Sequence, residues 1–265
     1  MSSPPIVLSF AASDPSGGAG MQADLLTLAS LGCHPLSVLT ALTVQDTRGV
    51  ERLLAIEPAW VAGQARRVLE DIPIAAFKLG VLGSVANARI IAAILGEHPR
   101  VPVVLDPVLA SGRGDPLADE ETLQVLRTAL LPRTTVLTPN SVEARRLASA
   151  GPEAGLPDCA RALNKLGCRF VLVTGTHEPG AQVSNALYDA NGLVREDRWE
   201  RLPGSYHGSG CTLASAIAAL IARGLDVASA AQAAQRYTWQ ALAAGFQPGR
   251  GQHLPDRFFK TRDQR

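Results

Sequence analysis

The sequence is poor in cysteine, in net charge and in long apolar runs, and each scarcity excludes a class of protein. The four cysteines are far apart and form no CxxC pair, so we predict free thiols and not disulfides. The formal net charge is +1, with acidic and basic residues mixed, which argues against nucleic acid or an anionic membrane as a partner. No apolar run would span a bilayer, and the first residues lack a signal-peptide pattern. We therefore expect a cytoplasmic protein.

Two further absences concern metals and domain organisation. The histidines show no metal-ligand spacing, so a zinc site is not expected. The chain has no linker, internal repeat or low-complexity tract, so we predict one domain over residues 1–265. Its polar tail, residues 250–265, is expected to add little to the core. With 46% apolar residues, a chain of this length can bury a sizeable core.

What the sequence does contain is a regular alternation of apolar runs with helical patterns. Strands are predicted at residues 6–12, 36–44, 75–82, 101–108, 135–137 and 170–174. Helices are predicted at residues 20–31, 58–71, 84–97, 119–130, 141–148, 157–166, 211–223 and 227–244. Several strands are almost continuously apolar, which is typical of a parallel sheet buried on both faces. The alternation predicts a doubly wound α/β fold, with helices on both faces of a mostly parallel sheet.

One segment interrupts this alternation. Residues 184–202 alternate in polarity like a β-hairpin, with a turn at Asp189-Ala-Asn-Gly192. Glycines also mark the ends of two helices, because Gly32 and Gly167 stand where a left-handed cap residue is expected. A hairpin is therefore expected between the sixth strand and the last two helices.

Polar or glycine-rich segments follow the predicted strands, and together they predict one shared cleft. These segments are residues 13–20, 45–49, 80–83, 106–108, 138–143 and 175–177. In open parallel sheets, ligands bind beyond the carboxyl ends of the strands, where such segments meet. Their coincidence indicates a binding site more strongly than any single motif does.

The segment His207-Gly-Ser-Gly-Cys-Thr212 precedes a long run rich in alanine and predicts an anion site. Glycines around a serine, followed at once by a helix, expose backbone N–H groups that lack intrahelical partners. The helix dipole is positive there, so we expect a lowered thiol pKa and an accessible thiolate at Cys211. A base or nucleophile beside an anion site suits phosphoryl or acyl transfer. Taken alone, an ordinary glycine-rich turn with a small buried cysteine explains the segment equally well.

Together these segments resemble the hydroxymethylpyrimidine/phosphomethylpyrimidine kinases of thiamine biosynthesis, in the ribokinase-like superfamily. The resemblance rests on Ser13-Asp-Pro-Ser-Gly-Gly-Ala-Gly-Met-Gln-Ala-Asp24, His207-Gly-Ser-Gly-Cys-Thr212, and residues 40–49, 78–81, 106–108, 114–117 and 138–143. It covers nearly the whole chain and implies a single-domain ribokinase-like fold. It also implies two ATP-dependent phosphorylations, of 4-amino-5-hydroxymethyl-2-methylpyrimidine and then of its monophosphate, with Mg²⁺ as a cofactor. Similar proteins are commonly dimers, so a homodimer is expected.

The resemblance further implies residue roles. Cys211 would accept the hydroxyl proton, and the charge developing on the γ-phosphoryl group would be held by the N–H groups of Gly208, Ser209, Gly210 and Cys211. The other implied roles are pyrimidine contacts from Asp24, Gln45 and Gly18, apolar walls from Val81 and Val108, nucleotide contacts from Asn140, Thr174, His177 and Arg113, and Mg²⁺ coordination by Glu143 and Asp106. Core packing explains the valines almost as well, and the spacing of Asn140 and Glu143 also fits a capping box.

The chain departs from the family where lysines are expected, at Gly112 and Thr174. A lysine there would neutralise nucleotide phosphate. We therefore expect Arg113, between two glycines, to replace the missing cation in part, because arginine binds phosphate through two parallel donors. We expect the absence of these lysines to affect the second phosphorylation more than the first.

Three alternatives to this function stay open. A pyridoxine, pyridoxal or pyridoxamine kinase would phosphorylate a hydroxymethyl group on a flat ring of similar size. A cysteine-nucleophile acyl transferase would need a histidine held by a third group, and His207 has no orienting partner apparent in the sequence. A non-catalytic pyrimidine-binding protein is the third, although Cys211, Glu143 and the glycine segment argue against it.

Overall fold

The computed structural model describes residues 3–110, 114 and 117–262, and one mixed sheet organises this part of the chain. Its strands are β1 (Ile6–Ala12), β2 (His34–Gln45), β3 (Val50–Ala55), β4 (Ala76–Leu79), β5 (Val103–Leu105), β6 (Val136–Leu137), β7 (Phe170–Thr174), β8 (Gln182–Asp189) and β9 (Gly192–Glu200). Their order across the sheet is β3-β2-β1-β4-β5-β6-β7-β8-β9. The pairs between β2 and β7 are parallel, and β3, β8 and β9 add antiparallel pairs at the two edges. The predicted α/β fold is confirmed.

Helices cover both faces of the sheet. The α-helices of the described residues are α1 (Gly20–Ser30), α2 (Pro58–Asp71), α3 (Val85–Glu97), α4 (Glu120–Val125), α5 (Ser141–Leu147), α6 (Leu156–Lys165), α7 (Ser209–Ala222), α8 (Val227–Ala243) and α9 (Phe259–Arg262). A π-helical turn (Leu126–Leu130) and a 3-10 turn (Leu131–Arg133) continue α4. Successive strand side chains point to opposite faces, so Val7 joins the core beneath α7 and α8, whereas Leu8 joins the core beneath α2 and α3. None of these helices is both long and apolar enough to cross a membrane.

The predictions that depend on turn geometry are confirmed. Gly32 and Gly167 end α1 and α6 with φ angles of 78° and 100°. Strands β8 and β9 form the predicted hairpin, with their turn between Asp189 and Gly192. Glycine takes this left-handed conformation without the steric cost that a Cβ atom imposes.

Several strand predictions need correction. Strand β3 is missing from the predicted set because it is mostly exposed and pairs only with β2 at the sheet edge, so its sequence carries no strong apolar signal. Strands β4 and β5 are shorter than the predicted 75–82 and 101–108. The apolar residues beyond them belong to loops at the carboxyl edge of the sheet.

The prediction that the tail adds little to the core is wrong. Leu254, Asp256 and Arg257 are only 5%, 6% and 4% exposed. The Asp256 N–H donates to the carbonyl of Ala241 in α8 at 2.8 Å. Leu254 and Phe246 exchange two backbone hydrogen bonds. The polar composition hides this packing because backbone hydrogen bonds and a single buried leucine, not an apolar stripe, hold the segment in place.

Candidate active site

The carboxyl ends of the parallel strands and the start of α7 meet at one place, as the strand-end segments predict. The loop of residues 13–19 follows β1, and Asp106 directly follows β5. Gly210, in the first turn of α7, lies against Asp106, because a Cβ atom at Gly210 would be 3.6 Å from Asp106 Oδ1. Gly208 packs so closely on the loop that any Cβ there would collide with the carbonyl oxygen of Gly18. Glycine at these positions lets the two segments approach each other.

The start of α7 has the geometry of an anion site. Helix α7 begins at Ser209, and Gly208 precedes it in the left-handed conformation, with φ 79° and ψ 19°. The Thr212 N–H donates to the Gly208 carbonyl at 3.0 Å, which begins the helical ladder. The N–H groups of Ser209, Gly210 and Cys211 precede that ladder. They therefore lack intrahelical acceptors and, together with the helix dipole, can hold an anion.

Cys211 is a buried thiol, not the accessible thiolate that the sequence predicts. The residue is 9% exposed, and its thiol lies close to the Asp106 carboxylate. Burial raises the pKa of the Cys211 thiol to about 12; Lys78 lowers it, and Asp106 and Asp24 raise it further. The expectation of a lowered pKa is therefore wrong, because the loss of hydration outweighs the helix dipole.

A fully buried ion pair lies beneath Cys211. Lys78 Nζ is 2.8 Å from Asp24 Oδ1 and 2.9 Å from Oδ2, and both side chains are 0% exposed. The hydroxyls of Ser9 and Ser215 donate to the same carboxylate at 2.6 Å and 2.8 Å. Burial alone would lower the pKa of Lys78, but Asp24, with Cys211 and Asp106, raises it above the ordinary value. Lys78 therefore stays protonated.

This environment encloses Asp24. Its carboxylate is turned to Lys78 and the two serines and has no exposed surface, and a pyrimidine contact from Asp24 stays a prediction. It holds Lys78 in place beneath the site. Sequence reasoning gives Lys78 no role, although a lysine inside an apolar strand is itself a signal of a buried ion pair.

Gln45 lies beside a histidine–aspartate pair. The His207 ring nitrogen Nε2 is 2.7 Å from Asp14 Oδ2 and 2.9 Å from Gln45 Nε2. Asp14 also accepts hydrogen bonds from the N–H groups of Ser16 and Ala19. Burial would raise the pKa of Asp14, but His207 and these donors hold it below its ordinary value. His207 therefore does have an orienting carboxylate, which the sequence could not reveal because the two residues are 193 positions apart.

Glu143 and Asn140 form the predicted capping box at the start of α5. Asn140 accepts from the Glu143 N–H at 2.9 Å, and Glu143 accepts from the Asn140 N–H at 2.9 Å. The second Glu143 oxygen accepts from the Leu109 N–H at 3.3 Å. Burial raises the pKa of Glu143 to about 8, and the nearby Asp106 carboxylate adds to the rise.

The chemistry of these two carboxylates fits a hard cation. Asp106 Oδ2 is buried and has no hydrogen-bond partner among the described residues. Burial also raises the pKa of Asp106. No group of three or more possible metal ligands occurs in the described part of the chain. A cation here would therefore complete its shell with water or ligand oxygens, as Mg²⁺ commonly does.

The remaining predicted residues surround this centre unevenly. Thr174, at the end of β7, pairs with Asn140 through a parallel bridge. His177 is exposed, and Val81 and Val108 are half-buried. Arg113 lies outside the described residues. The structure thus brings Asn140 and Thr174 together and leaves His177 at the surface.

Comparison with known proteins identifies the family. A family model described as phosphomethylpyrimidine kinase matches residues 14–256. The hydroxymethylpyrimidine/phosphomethylpyrimidine kinase of Mycobacterium tuberculosis is 43% identical over 256 residues, which cover 94% of this chain and 92% of the relative. The thiamine biosynthesis bifunctional protein ThiED of Geobacter sulfurreducens is 41% identical over 247 residues. These cover 92% of this chain, which spans only half the length of ThiED.

Two solved structures show the same architecture. The pyridoxal kinase of Staphylococcus aureus in complex with ADP superposes with a TM-score of 0.90 at 26% identity, covering 98% of this chain and 96% of that one. The phosphomethylpyrimidine kinase of Clostridium difficile superposes with a TM-score of 0.79 at 31% identity, covering 90% and 99%. The fold is thus that of the ribokinase-like kinases, and the chain belongs to the phosphomethylpyrimidine kinase family.

Proposed function

We propose that this protein transfers the γ-phosphoryl group of ATP to the hydroxymethyl group of 4-amino-5-hydroxymethyl-2-methylpyrimidine, and then to the resulting monophosphate. The observation that carries the proposal is the junction of Cys211, the free N–H groups at the start of α7 and the Asp106 carboxylate. Phosphoryl transfer depends mainly on positioning and charge stabilisation, and this junction supplies both. The relatives named above carry the same activity in their names.

In the proposed reaction, the substrate hydroxyl oxygen attacks the γ-phosphorus, the bond from phosphorus to the bridging oxygen breaks, and ADP leaves. The N–H groups of Ser209, Gly210 and Cys211 stabilise the charge on the transferred group. Mg²⁺, when bound by Asp106 and Glu143, would supply charge neutralisation for these carboxylates and for the phosphate oxygens. With that repulsion removed, Lys78 and the α7 dipole would favour loss of the thiol proton of Cys211 to solvent, and the resulting thiolate would accept the hydroxyl proton.

The other residues divide between the two substrates. Gln45, Gly18, Val81 and Val108 are proposed to contact the pyrimidine, and Asn140, Thr174, His177 and Arg113 the nucleotide. Gln45 suits an aminopyrimidine because a carboxamide both donates and accepts hydrogen bonds. We also propose a cytoplasmic homodimer; the exposed apolar residues Leu42 and Val44 of β2 and Leu54 of the edge strand β3 support a protein contact at that edge of the sheet.

The proposed Mg²⁺ site predicts a pH-dependent stability. The pKa of Glu143 is about 8 in the folded protein against an ordinary 4.5, so the folded state retains this proton to higher pH. The resulting contribution to the free energy of unfolding is full below pH 4.5 and is lost as the pH rises through 8. Mg²⁺ competes with the proton, so it should raise the melting temperature more at the upper end of this window than at the lower. Thermal unfolding with and without MgCl₂ measures both effects.

The matched variants for this measurement are Glu143→Gln and Glu121→Gln. Glutamine keeps the capping box but cannot titrate or bind Mg²⁺ as a carboxylate, so the Mg²⁺ effect should disappear in Glu143→Gln. Glu121 is exposed and pairs with Arg89 at 3.3 Å on the surface, so its variant should behave like the parent. An undiminished Mg²⁺ effect in Glu143→Gln would remove this residue from the metal site.

The experiment that tests the function is ADP release with ATP and MgCl₂, with hydroxymethylpyrimidine, its monophosphate and pyridoxal as separate acceptors. Turnover of both pyrimidines supports the two-step activity. Turnover of the first alone would mean that the missing lysines at Gly112 and Thr174 are needed for the second step. The pyridoxal arm is included because the Staphylococcus aureus pyridoxal kinase superposes so closely on this chain. A preference for pyridoxal, or no ADP release with any acceptor, would overturn the proposal.

A further inference from the structure

We propose that Arg257 is a positioning residue, which locks the glycine-rich loop after β1 onto the start of α7 and so sets the geometry of phosphoryl transfer. Arg257 ends the segment of residues 251–257, which we call the C-terminal strap. The inference rests on the proposed kinase function. It assigns a part in that function to a segment whose sequence predicts only a polar tail.

The C-terminal strap connects the two segments that carry the His207–Gln45 contact. The Gln252 N–H donates to the carbonyl of Thr47, two residues after Gln45, at 2.9 Å. The His253 N–H donates to Ser205, and the His253 carbonyl accepts from the His207 N–H, both at 2.9 Å. These are backbone hydrogen bonds, so they fix main-chain positions independently of side-chain rotamers.

Arg257 then joins the β1 loop to α7. Its guanidinium donates from Nη2 to the Gly18 carbonyl at 2.5 Å, from Nη1 to the Gly17 carbonyl at 3.3 Å and from Nε to Thr212 Oγ1 at 3.2 Å. Leu254 of the strap packs against Gly18, since a Cβ there would be 2.6 Å from a Leu254 methyl carbon. One planar group therefore bridges the loop after β1 and a side chain in the first turn of α7.

The guanidinium charge of Arg257 is buried away from the carboxylates of the described residues. The residue is 4% exposed, and within residues 3–110, 114 and 117–262 no carboxylate lies within ion-pair distance of it. Burial lowers its pKa, while neighbouring Cys211, Tyr237, Asp24 and Asp14 favour the charged form. A buried cation bonded only to carbonyls and a hydroxyl is costly unless it serves another group. Here it adds positive potential where the transferred phosphoryl group gathers negative charge.

Loss of Arg257 should therefore affect the reaction more than binding. Without it, Gly17 and Gly18 lose two hydrogen bonds and the loop can shift relative to α7. A displacement of about 1 Å at a reacting centre costs on the order of 100-fold in rate. We expect kcat of Arg257→Ala to fall about 100-fold, with the KM values for ATP and the pyrimidine nearly unchanged, because the contact matters mainly in the transition state.

The experiment compares Arg257→Ala, Arg257→Lys and the control Arg262→Ala in the full chain. Arg262 is also in the C-terminal region, but it is exposed and pairs with Asp256 at 3.1 Å. Each variant is assayed for kcat and both KM values, for its melting temperature, and for hydrogen exchange of the peptide covering residues 14–20. Millimolar guanidinium chloride is then added to test chemical rescue of Arg257→Ala.

The expected pattern has four parts. Arg262→Ala matches the parent, Arg257→Lys keeps part of kcat, guanidinium restores part of the Arg257→Ala activity, and exchange of residues 14–20 speeds up in Arg257→Ala. Unchanged kcat in the folded Arg257→Ala protein would overturn the inference. A fall in activity that is fully explained by a smaller fraction of folded protein, and that neither Arg257→Lys nor guanidinium restores, would also overturn the inference. If the parent itself released no ADP, the proposed function would fail, and unchanged exchange would then overturn the positioning role separately.

Discussion

Replacing Cys211 with alanine should lower kcat for pyrimidine phosphorylation by about 1,000-fold, within the range that a positioned general base contributes. The proton of the attacking hydroxyl would lose its acceptor, while the N–H groups at the start of α7 would remain. The affinity for the pyrimidine should change little, because the substitution removes one sulfur atom at the side of the site. ADP release and isothermal titration with the pyrimidine measure the two quantities.

The matched control is Cys33→Ala. Cys33 is also buried, at 5% exposed, and its thiol lies in the core beneath α7 and donates to the Ala219 carbonyl at 3.6 Å. Its variant should keep the parent kcat. Strong residual activity in Cys211→Ala would mean that the anion site alone suffices and that another group, or water, takes the proton. A large loss of pyrimidine affinity would instead make Cys211 a binding residue.

Replacing Lys78 with methionine should lower the free energy of unfolding by about 3–5 kcal/mol, because breaking a buried pair leaves an uncompensated charge. Asp24 would keep only two serine hydroxyls as donors and could not reach water. The double variant Lys78→Met with Asp24→Asn should recover much of the loss, since the amide carries no charge. Urea unfolding followed by circular dichroism measures all three proteins.

The control for this experiment is the surface pair of Arg66 and Glu97. Their atoms are as close as those of the buried pair, at 2.8 Å, but the side chains are 47% and 48% exposed. Arg66→Met should therefore cost less than about 1 kcal/mol. If Lys78→Met cost no more than Arg66→Met, the buried pair would not be ionised in the folded protein. The double variant would then show no recovery.

The predictions from the sequence agree with the structure where the interacting residues are close together in the chain. The strands and helices of the parallel sheet depend on apolar runs, caps and glycines close in sequence, and they were predictable. The capping box of Asn140 and Glu143 spans three residues and was equally visible. Strand β3 was not predicted, because it is an edge strand without buried residues and only its pairing with β2 makes it a strand.

The candidate site was predictable in position but less so in its internal contacts. The strand-end segments and the glycines around Ser209 located it, because parallel strands bring their carboxyl ends together. The ion pair of Asp24 was not predicted, since its partner Lys78 is 54 residues away. Asp14 was missed, although it holds His207, and so was Arg257, whose bond to Gly18 spans 239 residues.

By itself, the sequence determined the α/β fold, the edge of the sheet that carries the site, and the family to which the chain belongs. These properties depend on local patterns and on the order of motifs along the chain. Only the tertiary structure decided that the Cys211 thiol is protonated, that Asp24 supports Lys78 and that the tail packs against the loop after β1. Each of these depends on which residues, distant in the sequence, are buried next to one another. Burial and nearby charges then decide whether an ionisable side chain carries its proton.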